Sequence, residues 1–411
     1  MKIAIIGGGA AGLMTAATIT EQNTGAEIFL IEQNTILGKK VLISGGGRCN
    51  VTTGIRNIRF LFTRYPRGSK FLSSALYGFP PEAVYGWFES HGVPLKIEED
   101  LRVFPVSNNG QDIVGAFEKL FSRSRVKILL SHSAKSISYT DGAFTIEFRN
   151  SPTIVVDKVI ITTGGQTFRQ TGSTGDGYTF AETLGHTITP LAASLSSFIS
   201  RDEWLKSLAG VSFEAVGLRT DRIQFPTPVE GAMLITHSGI TGPAVFAFSA
   251  LAAYEIATPK EPLTIFINLF PGVTSENFLL QVKSACAGNA KRTIENAIAT
   301  LVPKSVAKML CAMAKIEGER HAAEVSKKEL EELGVLMQNL PVRAIGRGAG
   351  DEFVTAGGVN LSEVNPSTME SRITRGLFFA GEILDIDGFT GGFNLQASWA
   401  TGRLAGLSAA K

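Results

Sequence analysis

The sequence predicts an α/β protein with a Rossmann-type nucleotide-binding domain built from two segments of chain, interrupted by an inserted domain that is β-rich and then helical. Three observations predict it. Gly7-Gly8-Gly9-Ala10-Ala11-Gly12 ends an apolar run at 2–6 and opens a helical pattern, and a second apolar run, 27–32, closes on Glu32. Strand and helix alternate through about residue 165, the rhythm breaks near residue 194, and it returns after Leu340. An apolar Gly-bounded stretch, 376–381, then precedes a closing helix near 395–407. The divisions are 1–193 for the first segment, 194–341 for the insert (β part about 194–270, helical part about 271–340) and 342–411 for the second segment.

In order along the chain, helical patterns at 69–77, 81–91 and 111–121 follow the opening unit, and strand 126–130 reads as buried. Stretches 136–139 and 143–149 flank Asp141-Gly142, a hairpin signal. Strand 158–162 runs into Thr163-Gly164-Gly165. In the insert, strand-like stretches at 212–220 and 263–269 precede mostly helix from 275 to 338, whose mixed-sign charge reads as a solvated exterior.

Composition narrows the function classes. A length of 411 residues suits two or three domains, and a hydrophobic share of 44% is ordinary for a globular chain. A net charge of +2, with no basic stripe or stacking motif, argues against a nucleic-acid partner but leaves room for a small anionic ligand. Cys49, Cys286 and Cys311 form no disulfide pattern, which suits a reducing compartment, and with five scattered histidines they offer no metal-ligand spacing. Glycines interrupt 1–17 as a targeting segment. The uncharged stretch 231–254 carries too many turn and polar residues for a membrane span. A cytoplasmic protein with a small-molecule substrate and no membrane partner is expected; the oligomeric state is left open.

The opening glycines have a physical reading. Gly7 permits the turn, Gly9 lets backbone approach a pyrophosphate, and Gly12 lets the helix pack close to the strand, with Ala10 and Ala11 presenting helix N-terminal N–H groups to phosphate. Glu32, followed by Gln33, stands about 20 residues beyond the last glycine, the spacing of a ribose contact. A nucleotide cofactor follows.

Further Gly-rich loops extend the site. In Gly38-Lys39-Lys40 and Ser44-Gly45-Gly46-Gly47-Arg48-Cys49-Asn50, three consecutive glycines need close approach or unusual dihedrals. Either lysine can meet phosphate, while Arg48 and Asn50 offer donors. Cys49 has no second cysteine nearby for an internal disulfide relay, and reads as a packed loop residue. Gly388-Phe389-Thr390-Gly391-Gly392-Phe393-Asn394-Leu395 opens the last helix, where backbone can lie against a flat ring and the helix dipole can favour negative charge.

Gly376-Leu377-Phe378-Phe379-Ala380-Gly381-Glu382 resembles the second fingerprint of FAD-dependent oxidoreductases, with Glu382 where Asp is usual and Asp385 or Asp387 as substitutes. With Thr163, Gly164, the 171–177 loop, Thr236-His237-Ser238-Gly239 and Thr355-Ala356-Gly357-Gly358, the whole chain is similar to bacterial FAD-dependent oxidoreductases that include a bile-acid Δ4,6-reductase and an aminoacetone oxidase, distant relatives of the fumarate reductase flavoprotein. The resemblance implies FAD held by both segments, with adenine near Ser133 and Ala134. The loop at 39–53 lacks histidine, so the flavin is expected to be non-covalent.

The activity expected is hydride transfer to or from a small unsaturated or carbonyl-conjugated substrate. NAD(P)H is a possible donor at the same flavin face, because no second Gly-x-Gly-x-x-Gly follows a strand. Alternatives are a flavin oxidase of small amines using O₂, an RNA-linked flavoprotein, or a non-catalytic redox sensor reported by Cys49. His237, Cys49 and Arg48 are candidate catalytic groups, with a turn-stabilising role favoured for His237. Arg102, Arg169 and Tyr178 are further candidates for holding substrate.

Overall fold

The computed structural model describes residues 1–225, 228–348 and 353–411. The chain divides into two compact units, Met1–Ser194 with Phe353–Lys411, and Leu195–Glu352.

The first unit is built on a five-stranded parallel sheet of β1 (Lys2–Ile6), β2 (Glu27–Ile31), β3 (Val126–Leu129), β4 (Lys158–Ile161) and β5 (Leu377–Phe379), ordered β5-β4-β1-β2-β3. β1 lies between β4 and β2, pairing Ile6 with Ile161 on one side and with Ile31 on the other. The order reverses there, and in open parallel sheets ligands bind beyond the strand C-termini at such a point. Helix α1 (Ala10–Glu21) follows β1, and α2 (Phe393–Ala409) lies along it. Glycines in α2 permit the close approach: a Cβ on Gly402 would sit 2.5 Å from the Ala11 carbonyl oxygen. Thr15 Oγ1 donates across the same contact to Gly402 O at 3.0 Å.

Local expectations hold where the signals are strong. The hairpin Ala134–Thr140 and Ala143–Phe148 turns at Asp141 (φ +53°) and Gly142 (φ +83°), the left-handed pair that a two-residue turn needs. Asn109 caps Gly110–Phe121, and Pro81 opens Pro81–Ser90. Two readings need correction. β3 is an edge strand rather than a buried one, with Ile128 exposed, because among the described residues it pairs only with β2. The helical pattern at 69–77 shortens to Ser73–Gly78, and a further short helix, Ile58–Phe62, precedes it behind an Asn57 cap.

The second unit contains a closed six-stranded antiparallel barrel in the order Phe198–Ser200, Gly239–Thr241, Val229–Ile235, Ser212–Arg219, Leu263–Asn268 and Leu340–Arg347. The last strand pairs back to the first, so no edge remains open. Helices Ser275–Gly288, Ile294–Ile298, Lys304–Met313 and Lys327–Gln338 contribute to the same core. Leu340–Arg347 buries Leu340, Val342 and Ala344 in alternation, so residues assigned from 342 onward to the returning segment instead close the barrel. The uncharged stretch 231–254 supplies barrel strands and the helix Pro243–Leu251. Among the described residues, no helix is long and apolar enough to cross a membrane.

Candidate cofactor and active site

The turn from β1 into α1 separates three glycine roles by geometry. Gly7 has φ +109°, and a Cβ there would stand 2.6 Å from Thr162 O, against the end of β4. A Cβ on Gly12 would fall 1.9 Å from Gly7 O, so helix and strand meet too closely for any side chain. Gly9 faces open space, with nothing within 4 Å of its Cβ position, and caps α1 without a side-chain bond. Ala10 and Ala11 form the first turn above it. Glu32, buried at the end of β2, accepts from Gly8 N at 2.8 Å, from Asn34 N at 2.8 Å and from Asn34 Nδ2 at 2.7 Å. Gln33 donates to Gly172 O, and Ala134 lies buried at the start of the hairpin.

The loop after β2 begins with Gly38 at φ +63°, and Gly45, Gly46 and Gly47 are all left-handed. Gly46 and Gly47 face open space, whereas a Cβ on Gly45 would crowd Asn50 N at 2.9 Å. Several polar residues of this loop are already engaged. Lys39 Nζ donates to Asn34 Oδ1 at 3.2 Å, and Ser44 Oγ donates to Val41 O at 2.7 Å. Lys40 Nζ donates to Thr167 Oγ1 at 2.9 Å and pairs with Glu382 Oε2 at 2.8 Å. Arg48 lies over Phe104 and pairs with Glu98 at 2.8 Å; Asn50 Oδ1 accepts from Val103 N at 3.3 Å. Cys49 is fully buried, and burial pushes its thiol up to about 12. It offers no accessible thiolate for a redox or sensor role.

The second segment reaches the same place. A Cβ on Gly381, just after β5, would stand 2.8 Å from Ala11 Cβ at the start of α1. Glu382, read as a cofactor contact, is instead held inside the protein: Oε1 accepts from Thr355 N at 2.9 Å and Thr167 Oγ1 at 3.3 Å, and Oε2 takes Lys40. Asp387 is buried, its Oδ2 accepting from Arg67 and from Ser194 Oγ at 2.6 Å. In the loop before α2, Gly391 and Gly392 have φ +128° and +88°, and Asn394 Oδ1 accepts from Gly388 N at 2.8 Å. Phe393 is buried edge-on to Tyr65, whose hydroxyl donates to Phe393 O at 2.9 Å; Leu395 packs partly buried against the core. His237 belongs to the other unit. It is exposed in a tight turn closed by backbone, where Thr236 N donates to Gly239 O at 2.8 Å.

FAD is the group this arrangement implies, and the residues present fit it. Gly9, Gly46 and Gly47 leave open the positions where a Cβ would otherwise project. Among the described residues, Thr163 Oγ1, Asp385 Oδ1 and Asp387 Oδ1 are buried without hydrogen-bond partners, a costly state for a polar atom unless a ligand satisfies it. Gly164 is left-handed beside Thr163, and α1 and α2 both start without a side-chain cap. Tyr65, Arg67 and the short helix before them lie in 54–68, a stretch without a glycine-rich or acidic motif. The available signal was the Asn57 cap before an apolar turn.

A nucleotide fold with its glycine turn at the sheet's switch point, completed by a returning second segment, defines an oxidoreductase of the flavoprotein class. The chain belongs to the family described as HI0933-like protein Rossmann domain, which it matches over residues 1–408. It is 30% identical to the 3-dehydro-bile acid delta(4,6)-reductase of Clostridium scindens, across 100% of this chain and 99% of that protein. It is 29% identical to the ribosomal RNA dihydrouridine synthase of Escherichia coli, across 97% of this chain and 95% of that one. Among solved structures, the fold is like that of Escherichia coli quinol fumarate reductase FrdA, with a TM-score of 0.53 and 16% identity over 100% of this chain and 70% of the other.

Proposed function

We propose that this chain is a reductase that uses non-covalently held FAD to saturate a C=C bond conjugated to a carbonyl. The observation that carries the reading is the meeting of both segments where Gly381 approaches Ala11, supported by the open space at Gly9, Gly46 and Gly47 and by the unsatisfied buried polar atoms of Thr163 and Asp385. When bound, FAD supplies two-electron hydride chemistry. The chain's own part is positional. The open N-termini of α1 and α2 favour anionic charge, Glu32 fixes the end of β2, and Gly391-Gly392 lets backbone lie flat at the start of α2.

The acceptor class is supported by the two relatives. A delta(4,6)-reductase of a 3-dehydro bile acid and a dihydrouridine synthase both change the saturation of a ring C=C bond. In each substrate a ring carbonyl is conjugated to such a bond. The second reading, uridine in ribosomal RNA as the acceptor, is favoured by the near full-length match to the Escherichia coli enzyme. We further propose NAD(P)H as the donor, visiting the face that the acceptor later occupies.

The test is an anaerobic titration of the purified protein with NADH and then NADPH, followed by a small cyclic enone or a uridine-containing rRNA fragment. Bleaching of flavin absorbance by one donor and its recovery with an acceptor support the reading. Recovery with RNA alone selects the second acceptor. Failure of both donors removes the nicotinamide arm, and O₂ consumption driven by a small amine would instead favour an oxidase.

A further inference from the structure

Between Glu32 and Glu82 the sequence holds no acidic residue but eight basic ones, including Arg56, Arg59, Arg64, Arg67 and Lys70. Three of the eight find a carboxylate elsewhere in the fold: Lys40 pairs with Glu382, Arg48 with Glu98 and Arg67 with Asp387. Arg64 differs. Among the described residues it makes no ion pair and no side-chain hydrogen bond, yet its Nε is buried without a partner. Burial pushes its guanidinium down from the usual arginine range, although it stays charged. A buried N–H of a cation left unsatisfied costs more than a neutral one, so such a group is expected to gain its partner from outside the chain.

Its position says what that partner accompanies. The segment that carries Arg64 runs antiparallel to the loop before α2: Phe389 N donates to Arg64 O at 2.9 Å, and Arg67 bridges Asp387. Arg64 is therefore fixed to the 388–394 loop, which the proposed function places against the flavin ring. The guanidinium lies 4.2 Å from the centre of the Phe60 ring, itself 45% exposed, so an aromatic floor holds the cation at an accessible edge. Arg56 and Arg59, exposed on the same acid-free stretch, add positive potential without a competing carboxylate.

We propose that Arg64 is a substrate-anchoring residue that binds an oxyanion, a carboxylate or a phosphate, on the molecule reduced at this site. The assignment rests on the proposed function for its location. Arginine suits the task because its planar fork engages two oxygens of a carboxylate or phosphate at once. The anchored oxyanion is distinct from the carbonyl conjugated to the reacting bond, so recognition and chemistry involve different parts of the substrate.

The test uses the FAD-loaded full chain and three probes: cyclohex-2-enone, a 3-oxo-4-ene steroid carboxylate and a short oligouridylate. Arg64→Met and Arg64→Lys are compared with wild type by calorimetric binding of each anionic probe and by steady-state kinetics with each. We expect Arg64→Met to weaken binding of the recognised anion at least tenfold and raise its KM with little change in kcat. Arg64→Lys should retain part of the binding, and Arg64→Met should affect the neutral enone, which carries no oxyanion, far less than the recognised anion. Which anion is affected distinguishes carboxylate from phosphodiester. Binding of both anions to Arg64→Met within twofold of wild type overturns the assignment, as does failure of both anions to bind wild type at millimolar concentration. Should Arg64→Met not fold, inorganic phosphate must compete with the anionic probe but not with cyclohexenone in wild type, and equal inhibition of both contradicts the proposal. Enone turnover with no anion effect sinks Arg64 alone, whereas absence of any flavin-linked reduction sinks the function on which it rests.

Discussion

At the residue scale, two glycines of one motif should fail in opposite ways. Gly12→Ala drives a methyl to 1.9 Å from the Gly7 carbonyl oxygen, so expression of folded protein should collapse. Gly9→Ala meets nothing within 4 Å and keeps an ordinary extended backbone, so thermal stability should stay near wild type. The added methyl would occupy the space assigned to the cofactor, and FAD affinity should fall by roughly tenfold, about 1.4 kcal/mol, in a fluorescence titration. His186 gives a pH prediction. It is buried against Phe379, with Nε2 2.8 Å from Ser371 Oγ and Nδ1 3.3 Å from Glu363, and burial pushes its imidazole below the ordinary value. The unfolded chain then binds the proton more readily than the folded one. Stability should fall as pH drops below about 6.5, the ordinary histidine value, and level off once the folded form also titrates. In urea melts across that range, His186→Gln should flatten this limb; an unchanged slope would assign the loss to other groups.

At the element scale, α1 and α2 act as one block joining the two ends of the chain. The Gly402 and Gly406 face of α2 leaves no room for side chains: a Cβ on Gly406 would sit 2.8 Å from Thr18 Cβ. Gly402→Val should cost about 1–3 kcal/mol by overpacking, measured by denaturant midpoint, and should also lower retained flavin, because Gly381 and the start of α1 meet in the same cradle. The Lys40–Glu382 pair ties the glycine loop to the end of β5, with Thr355 N and Thr167 bound to the same carboxylate. Glu382→Ala should destabilise by roughly 1–3 kcal/mol, since partners inside the protein lose their acceptor. Equal stability would mean that the pair is solvated and the network incidental.

At the scale of the whole molecule, strongly local signals were legible and long-range pairings were not. The parallel sheet with its glycine turn, the Asp141-Gly142 hairpin and the β-rich then helical insert each follow from short-range pattern. Closure of the barrel by Leu340–Arg347 depends on partners at Phe198–Ser200 and Leu263–Asn268, which spacing in sequence cannot reveal. The site shows the same division. The glycines announced themselves by residue type, but the internal capture of Glu382 and the buried state of Cys49 required the fold. Arg64 was hidden by the near-neutral charge of the chain as a whole, which masks an acid-free stretch between Glu32 and Glu82.

The interruption itself is compact. Ser194 pairs with Val354 in an antiparallel bridge between Ala192–Ser194 and Val354–Ala356, so the first unit closes on itself where the insert departs and returns. This is the unit proposed to hold FAD for reduction of a conjugated C=C bond. The most direct measurement is a single turnover under nitrogen: protein purified with its flavin is reduced by one equivalent of dithionite and mixed with a cyclic enone or a uridine-containing rRNA fragment. Oxidised flavin absorbance should recover with formation of one equivalent of the saturated product. Protein that purifies and reconstitutes without FAD, or reduced flavin that neither acceptor reoxidises, would contradict the proposal.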